Sequence, residues 1–177
     1  PGPAGHLVKI IQGCAREPRF DVRVIASGAA FEIFRKADIC VEEFPSADGV
    51  STSDFKNVVD LLNPRFQALA PDAAFASVSS FGLGLDEALL WLCKNRFRSL
   101  PSFVFQDFWG DIPRFEGLEP DTYFVLDETA LEITKNRTAR SKVEVVGSPK
   151  HDAYAQLDIP ALRAKTRIEL GVKPGSR

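Results

Sequence analysis

The chain has 177 residues, 45% of them hydrophobic and 26% charged, with a formal net charge of −2. That length buries roughly 70% of the surface an unfolded chain exposes, which is enough for one substantial core. The near-balanced charge supplies no basic footprint of the kind a phosphate backbone requires, so nucleic acid is not an expected partner.

Gly2-Pro3-Ala4-Gly5-His6 reads as a small-residue turn opening a helix, because Leu7, Ile10, Ile11 and Cys14 fall at the i, i+3, i+4, i+7 spacing of one apolar face. Such a turn is normally fed by a strand, expected to lie ahead of Pro1. Residues 21–26 form a β-branched strand ended by Ser27-Gly28, residues 31–37 a short helix, and residues 40–44 a weak strand before Pro45. The cluster Ser51-Thr52-Ser53-Asp54 offers an N-cap to a long helix whose apolar face is Phe55, Val58, Val59, Leu62, Phe66 and Leu69. Pro64 is expected to kink or split that helix near Asn63.

Residues 73–79 then read as a buried strand, and Leu85, Leu89, Leu92, Cys93 and Phe97 mark the next helix. A Phe and Val strand at 102–106, a long turn over 107–120, a strand at 123–126, a helix at 128–135 and a last strand at 143–146 follow. Asp152 is placed to cap a helix over 153–157, and residues 162–171 form an amphipathic helix ending at Gly171. Strand and helix alternate, and the strands are apolar throughout rather than on one face. That pattern predicts an α/β fold with a doubly wound, mainly parallel sheet and helices on both faces. Residues 1–157 are expected to form a Rossmann-like domain, and residues 158–177 a helical linker toward a further domain.

In an open parallel sheet, ligands bind beyond the carboxyl ends of the strands, where helix N-termini point. The residues expected there are Gly2, Pro3, Ala4, Gly5 and His6; Ser79, Ser80 and Gly82; Gln106, Asp107, Trp109, Gly110 and Asp111; Asp127 and Glu128; and Ser148, Pro149, Lys150, His151 and Asp152. His6 is the candidate base, since a neutral imidazole can take a proton from a bound hydroxyl; a capping or surface histidine is the bland alternative. Asp107 and Asp111 bracket Trp109, a ring on which a sugar can stack, although an aromatic anchor in an ordinary polar loop has the same spacing. Lys150, His151 and Asp152 also fit a solvated turn and helix cap. The first turn lacks G-x-G-x-x-G, and the strand at 21–26 ends without the acid that holds a ribose, which disfavours a dinucleotide cofactor. Neither G-x-x-x-x-G-K-[ST] nor G-x-S-x-G occurs.

Cys14, Cys40 and Cys93 are odd in number and widely spaced, against a disulfide framework or a zinc site, and fit a reducing cytoplasmic setting. No apolar run approaches the ~18 residues of a membrane span, and no signal-like N-terminus is present. The mixed segment at 91–98 admits contact with an anionic membrane surface, but its basic residues equally complement a helix C-terminus. The sequence contains no Met, so the natural frame is expected to begin upstream.

Three short motifs carry a resemblance. Gly2-Pro3-Ala4-Gly5-His6, the stretch Ala70-Pro71-Asp72 leading to Ser79-Ser80-Phe81-Gly82, and Val146-Gly147-Ser148-Pro149 resemble the N-terminal domain of GT-B fold glycosyltransferases and their relatives. The first is similar to the Gly-rich His loop of the peptidoglycan glycosyltransferase that uses UDP-N-acetylglucosamine. The last is similar to a turn of lipid A disaccharide synthase and of the teichoic acid glycerophosphotransferases. Arg163, Arg167, Leu170 and Gly171 resemble the helix leading into the second domain of that fold.

The resemblance implies an acceptor-binding half that holds a small-molecule or glycan acceptor, with His6 as base or acceptor contact. It binds no cofactor of its own, and its nucleotide-sugar donor belongs to a C-terminal nucleotide-binding domain. The fold is shared with UDP-N-acetylglucosamine 2-epimerases, whose His-Val-Glu stretch is Phe105-Gln106-Asp107 here, a departure at the position of a carboxylate. A non-catalytic half that pairs with a second subunit is a further expectation.

Overall fold

The computed structural model describes residues 2–47, 49–78, 82–113, 115 and 117–172. Helix α1 spans Gly2–Ala15, strand β1 Val24–Ala26, α2 Gly28–Lys36, β2 Val41–Glu43, α3 Thr52–Leu69 and β3 Ala74–Ala76. Then come α4 at Leu85–Asn95, β4 at Ser102–Phe105, β5 at Thr122–Val125, α5 at Glu128–Lys135 and β6 at Lys142–Val145. A 3-10 helix at Pro149–Gln156 and α6 at Ile159–Glu169 complete the order.

The fold is α/β, with parallel sheets flanked by helices in a Rossmann-like arrangement. All strand pairs are parallel, but the hydrogen-bonded order divides into a two-stranded sheet, β1-β2, and a four-stranded sheet, β3-β4-β5-β6. One core lies between α3, α4 and β3, around Leu62, Phe66, Ala88 and Leu92. A second lies under β4, β5 and β6, around Val104, Tyr123, Val125 and Val143. The third packs α1 and α2 on β1 through Ala4, Phe34 and Ala26. On the opposite face of the four-stranded sheet, Phe124 of β5 stacks on Phe103 of neighbouring β4 at 5.7 Å and on Phe75 of β3 at 6.0 Å. Phe75 there is 40% exposed, so burial of both faces is incomplete at β3.

Local rules explain the long helices. Ser51 caps α3, its Oγ accepting from Asp54 N at 3.2 Å, and Asp127 caps α5 by accepting from Ala130 N at 2.8 Å. The break expected at Pro64 does not occur: α3 runs as one helix from Thr52 to Leu69 with Pro64 inside it. Proline in a helix interior costs about 3 kcal/mol. Against that, α3 buries Phe55, Val58, Val59, Leu62 and Phe66, each contributing about 1.5–3 kcal/mol on burial. Packing outweighs the lost hydrogen bond.

Two further boundaries differ from expectation. Residues 2–6 are not a turn ahead of α1 but its opening turns, since Pro3 is tolerated where N–H groups have no helical acceptor and Ala4 seats in the core. Asp152 does not cap a following helix, because Pro149, with its preset φ, already starts the 3-10 helix directly after Ser148. Among the described residues no helix is long and apolar enough to cross a membrane.

Leu62 is 2% exposed at the α3–α4 contact, so Leu62→Ala is expected to cost about 2–5 kcal/mol. Ser51→Ala, which removes only a cap, should cost about 1 kcal/mol. Urea unfolding of both variants checks the order; equal costs would contradict the packing account of α3.

Candidate functional site

The site is assembled at the carboxyl ends of β4, β5 and β6, against the first turns of α1. β4 and β5 are adjacent and parallel, and among the described residues between them there is no helix, so the polar groups of that connection need partners outside a helical ladder. Gln106, 1% exposed, does much of this. Its Oε1 accepts from Gly110 N at 3.2 Å and Thr134 Oγ1 at 3.0 Å, and its Nε2 donates to Asp111 O at 2.6 Å. Arg137 Nη1 donates to Gly110 O at 2.6 Å. Gly110 has φ +69°, and an added Cβ would press into Ile133 Cγ2 and Arg137 Nη1.

The tight turn so fixed presents Asp107, Phe108 and Trp109. The indole Nε1 of Trp109 donates to Asp127 Oδ2 at 3.0 Å, while Asp127 Oδ1 caps α5. One carboxylate therefore ties the aromatic loop to a helix terminus. Phe108 and Trp109 nevertheless remain 68% and 51% exposed, giving an apolar rim unusual for a loop tip.

His6 points from α1 under this rim. It is 6% exposed, with its ring centroid 5.1 Å from that of Phe105 at the end of β4. Ser148, in the turn after β6, places its Oγ 3.4 Å from His6 Nδ1 and 3.2 Å from His151 Nδ1. The His151 ring in turn stacks on Tyr154 at 5.3 Å. His6, Asp107, Phe108, Trp109, Leu126, Asp127, Ser148 and His151 line a cavity of about 390 Å³. That volume lies in the range of small-ligand sites.

Burial pushes the His6 imidazole below its usual value; Asp107 pulls it back up, and Lys150 and His151 lower it further. Burial likewise raises the Asp107 carboxyl, opposed by His6, by a backbone hydrogen bond and by Lys150. The cavity thus pairs an imidazole biased toward its neutral form with a carboxyl biased toward holding its proton, the environment that prepares groups for acid–base work. Among the described residues, no group of His, Cys, Asp and Glu is arranged to hold a metal ion.

The structure brings His6, Asp107, Trp109, Asp127 and Ser148 together around the cavity. Gly5 sits beside them, with the Lys150 stem 3.8 Å from the position its Cβ would take. Asp111 is not among the lining residues, and its carbonyl serves the Gln106 network instead. Ser79 and Ser80 lie outside the described residues. Phe108 was not singled out by sequence reasoning, and Gln106 and His151 were placed beyond the strand ends without a chemical role of their own. The signal for His151 was its scarcity, since the chain has only 2 histidines. Nothing local marked the role of Gln106, whose partners Thr134 and Gly110 come from a distant helix and from its own loop.

A second cavity, of about 340 Å³, lies between Ile112, Phe115, Tyr123 and Arg137. Its carboxylate, Glu119, is taken up by Thr138 Oγ1, Ala139 N and Arg140 N. Burial opposes ionisation of Glu119, but these hydrogen bonds prevail and hold it below its usual value. It therefore reads as a structural anchor.

No family model matches the sequence, and no curated protein sequence matches it. Among solved structures, a protein assigned as a UDP-N-acetylglucosamine 2-epimerase from Listeria monocytogenes is similar, with a TM-score of 0.63 and 14% sequence identity over 91% of this chain. This chain spans 47% of the length of that one. The likeness is one of fold.

Two measurements test the geometry. Gly110→Ala forces an L side chain into positive φ against Ile133, and is expected to cost about 1–3 kcal/mol by urea unfolding; a neutral result would contradict the fixed turn. For His6, the unfolded chain binds a proton that the folded chain resists, so stability falls as pH drops through the usual histidine value and is fully present above it. His6→Gln should remove that part of the pH dependence. An unchanged slope of midpoint against pH would show His6 to be solvated.

Proposed function

We propose that the chain is the acceptor-side half of a nucleotide-sugar enzyme of GT-B type, a glycosyltransferase. The observation that carries this reading is a single cavity combining an exposed aromatic rim, Phe108 and Trp109, with a buried imidazole and two carboxylates. Pyranose rings offer a C–H face that stacks on aromatic rings and hydroxyls that pair with carboxylates, and a neutral buried imidazole suits removal of a hydroxyl proton.

In this reading Trp109 and Phe108 hold the sugar face, Asp127 bonds a hydroxyl while fixing Trp109, and His6 takes the proton from the attacking hydroxyl. Asp107 neutralises the imidazolium that forms. Ser148 and Lys150 close the floor beside Gly5, and Lys150 supplies a cation for an anionic group. The donor nucleotide belongs to a separate nucleotide-binding half, so the chain alone has no transferase activity. The setting is cytoplasmic.

A second reading, epimerisation of a sugar nucleotide, is favoured by the fold likeness to the Listeria protein. In it, His6 and Asp107 exchange a proton at the sugar carbon rather than at an acceptor hydroxyl. The aromatic rim, suited to an uncharged glycan, favours the transferase.

Saturation-transfer NMR on the chain, with N-acetylglucosamine glycosides and with UDP-N-acetylglucosamine as probes, tests the reading. Ring protons of the glycosides should receive saturation, and Trp109→Ala should weaken binding about 10-fold, the scale of one aromatic contact of ~1–1.5 kcal/mol. Binding of UDP-N-acetylglucosamine with no glycoside binding would overturn the acceptor role. Conversion of that nucleotide sugar without acceptor, by the chain joined to a nucleotide-binding half, would establish the epimerase instead.

A further inference from the structure

His6 is buried at the floor of the cavity, so a proton it collects there leaves most readily through a group that reaches the surface. Its Nδ1 faces Ser148 Oγ at 3.4 Å, and the same oxygen lies 3.2 Å from Nδ1 of His151, which is exposed. The two rings do not bond one another, their centroids being 6.2 Å apart at 65°. A serine hydroxyl has one proton to donate and lone pairs to accept with. Set between two Nδ1 atoms, it can accept from one and donate to the other, the arrangement in which the two imidazoles hold complementary tautomers.

We propose that His6, Ser148 and His151 form a proton path that carries a proton taken up in the cavity outward to solvent. The proposal rests on His6 being the base of the reaction proposed above. His6 starts neutral, with its proton on Nδ1 donated to Ser148 Oγ, and Ser148 donates its own proton to His151 Nδ1. A substrate proton arriving at His6 Nε2 sends the Nδ1 proton to Ser148, whose hydroxyl proton passes to His151 Nδ1. His151 then releases its Nε2 proton to water. One proton enters and one leaves, no electrons are exchanged, and reversal of the two tautomers resets the path.

The surroundings fit this direction of travel. The carboxylate of Asp107, from the turn after β4, faces His6 and stabilises the transient imidazolium. Lys150, from the 3-10 helix, also faces His6 and drives a proton off it. Tyr154 stacks on His151 and orients its ring toward Ser148. The low affinity of buried His6 for a second proton keeps it receptive at neutral pH only while the proton is passed on. Catalytic hydrogen bonds are commonly long before substrate is bound, as the Ser148 contacts are here.

The tautomers can be read directly, because the chain contains only 2 histidines. Long-range proton–nitrogen correlation spectra of the nitrogen-15-labelled chain at pH 8 should show His6 protonated on Nδ1 and His151 on Nε2. Ser148→Ala should abolish the His6 Nδ1–H form, and Ser148→Thr, which keeps the hydroxyl, should retain it. Identical tautomers in the two rings, or a His6 pattern unmoved by Ser148→Ala, would overturn the path. If Ser148→Ala does not fold, His151→Phe preserves a ring for Tyr154 and should itself shift His6 toward Nε2–H; no shift overturns the proposal. These spectra need no substrate, so a chain that binds no glycan still tests the path, and glycan binding without complementary tautomers rejects the path alone.

Discussion

The buried amide of Gln106 is the constraint on which the site depends. Two adjacent parallel strands, β4 and β5, have no helix among the described residues that join them. Such a connection leaves backbone donors and acceptors that must be satisfied where water is scarce. Gln106 supplies a donor and an acceptor at one point, meeting Asp111 O, Gly110 N and Thr134 at once. That arrangement bends the chain so that Asp107, Phe108 and Trp109 line the cavity, the two rings at its exposed rim. In this position a short carboxylate side chain has two acceptors and no donor, so it cannot replace the amide's role toward the Asp111 carbonyl.

A second consequence is economy. Asp127 caps α5 and anchors Trp109 with its two oxygens, so the orientation of the aromatic rim is coupled to a helix terminus. Ser148, three residues past β6, precedes the 3-10 helix as its N-cap residue and stands between two imidazoles. Groups that terminate secondary structure lie, in a parallel sheet, at the edge where ligands bind. Structural capping and candidate chemistry therefore fall on the same residues, which explains why polar positions such as Asp127 and Ser148 could be placed near the site before their contacts were known.

Particular residues show how far local sequence carries the inference. The pattern 128–135 gave α5 without error, because an Asp cap, periodic apolar positions and a terminal Lys all act within the helix itself. The same logic overstated Pro64, because the helix is not split there. Proline's penalty is local, while the opposing burial of Phe55, Val59, Leu62 and Phe66 is set by contact with α4. In the site, His6, Asp107, Gln106 and His151 were all legible as polar residues beyond strand ends, but the contacts that give Gln106 and His151 their roles were not.

The order of elements, the parallel α/β class, the capped helices and the edge on which a site would lie were determined by the sequence alone. Each follows from periodicity, turn chemistry and capping, interactions that span a few residues. Only the tertiary structure decided that the strands divide into two sheets, that α3 survives its proline, and that His6 meets Ser148 across a separation of 142 residues. Those outcomes depend on burial and on long-range pairing, whose free energy is shared among residues far apart in the chain, so no local window contains it.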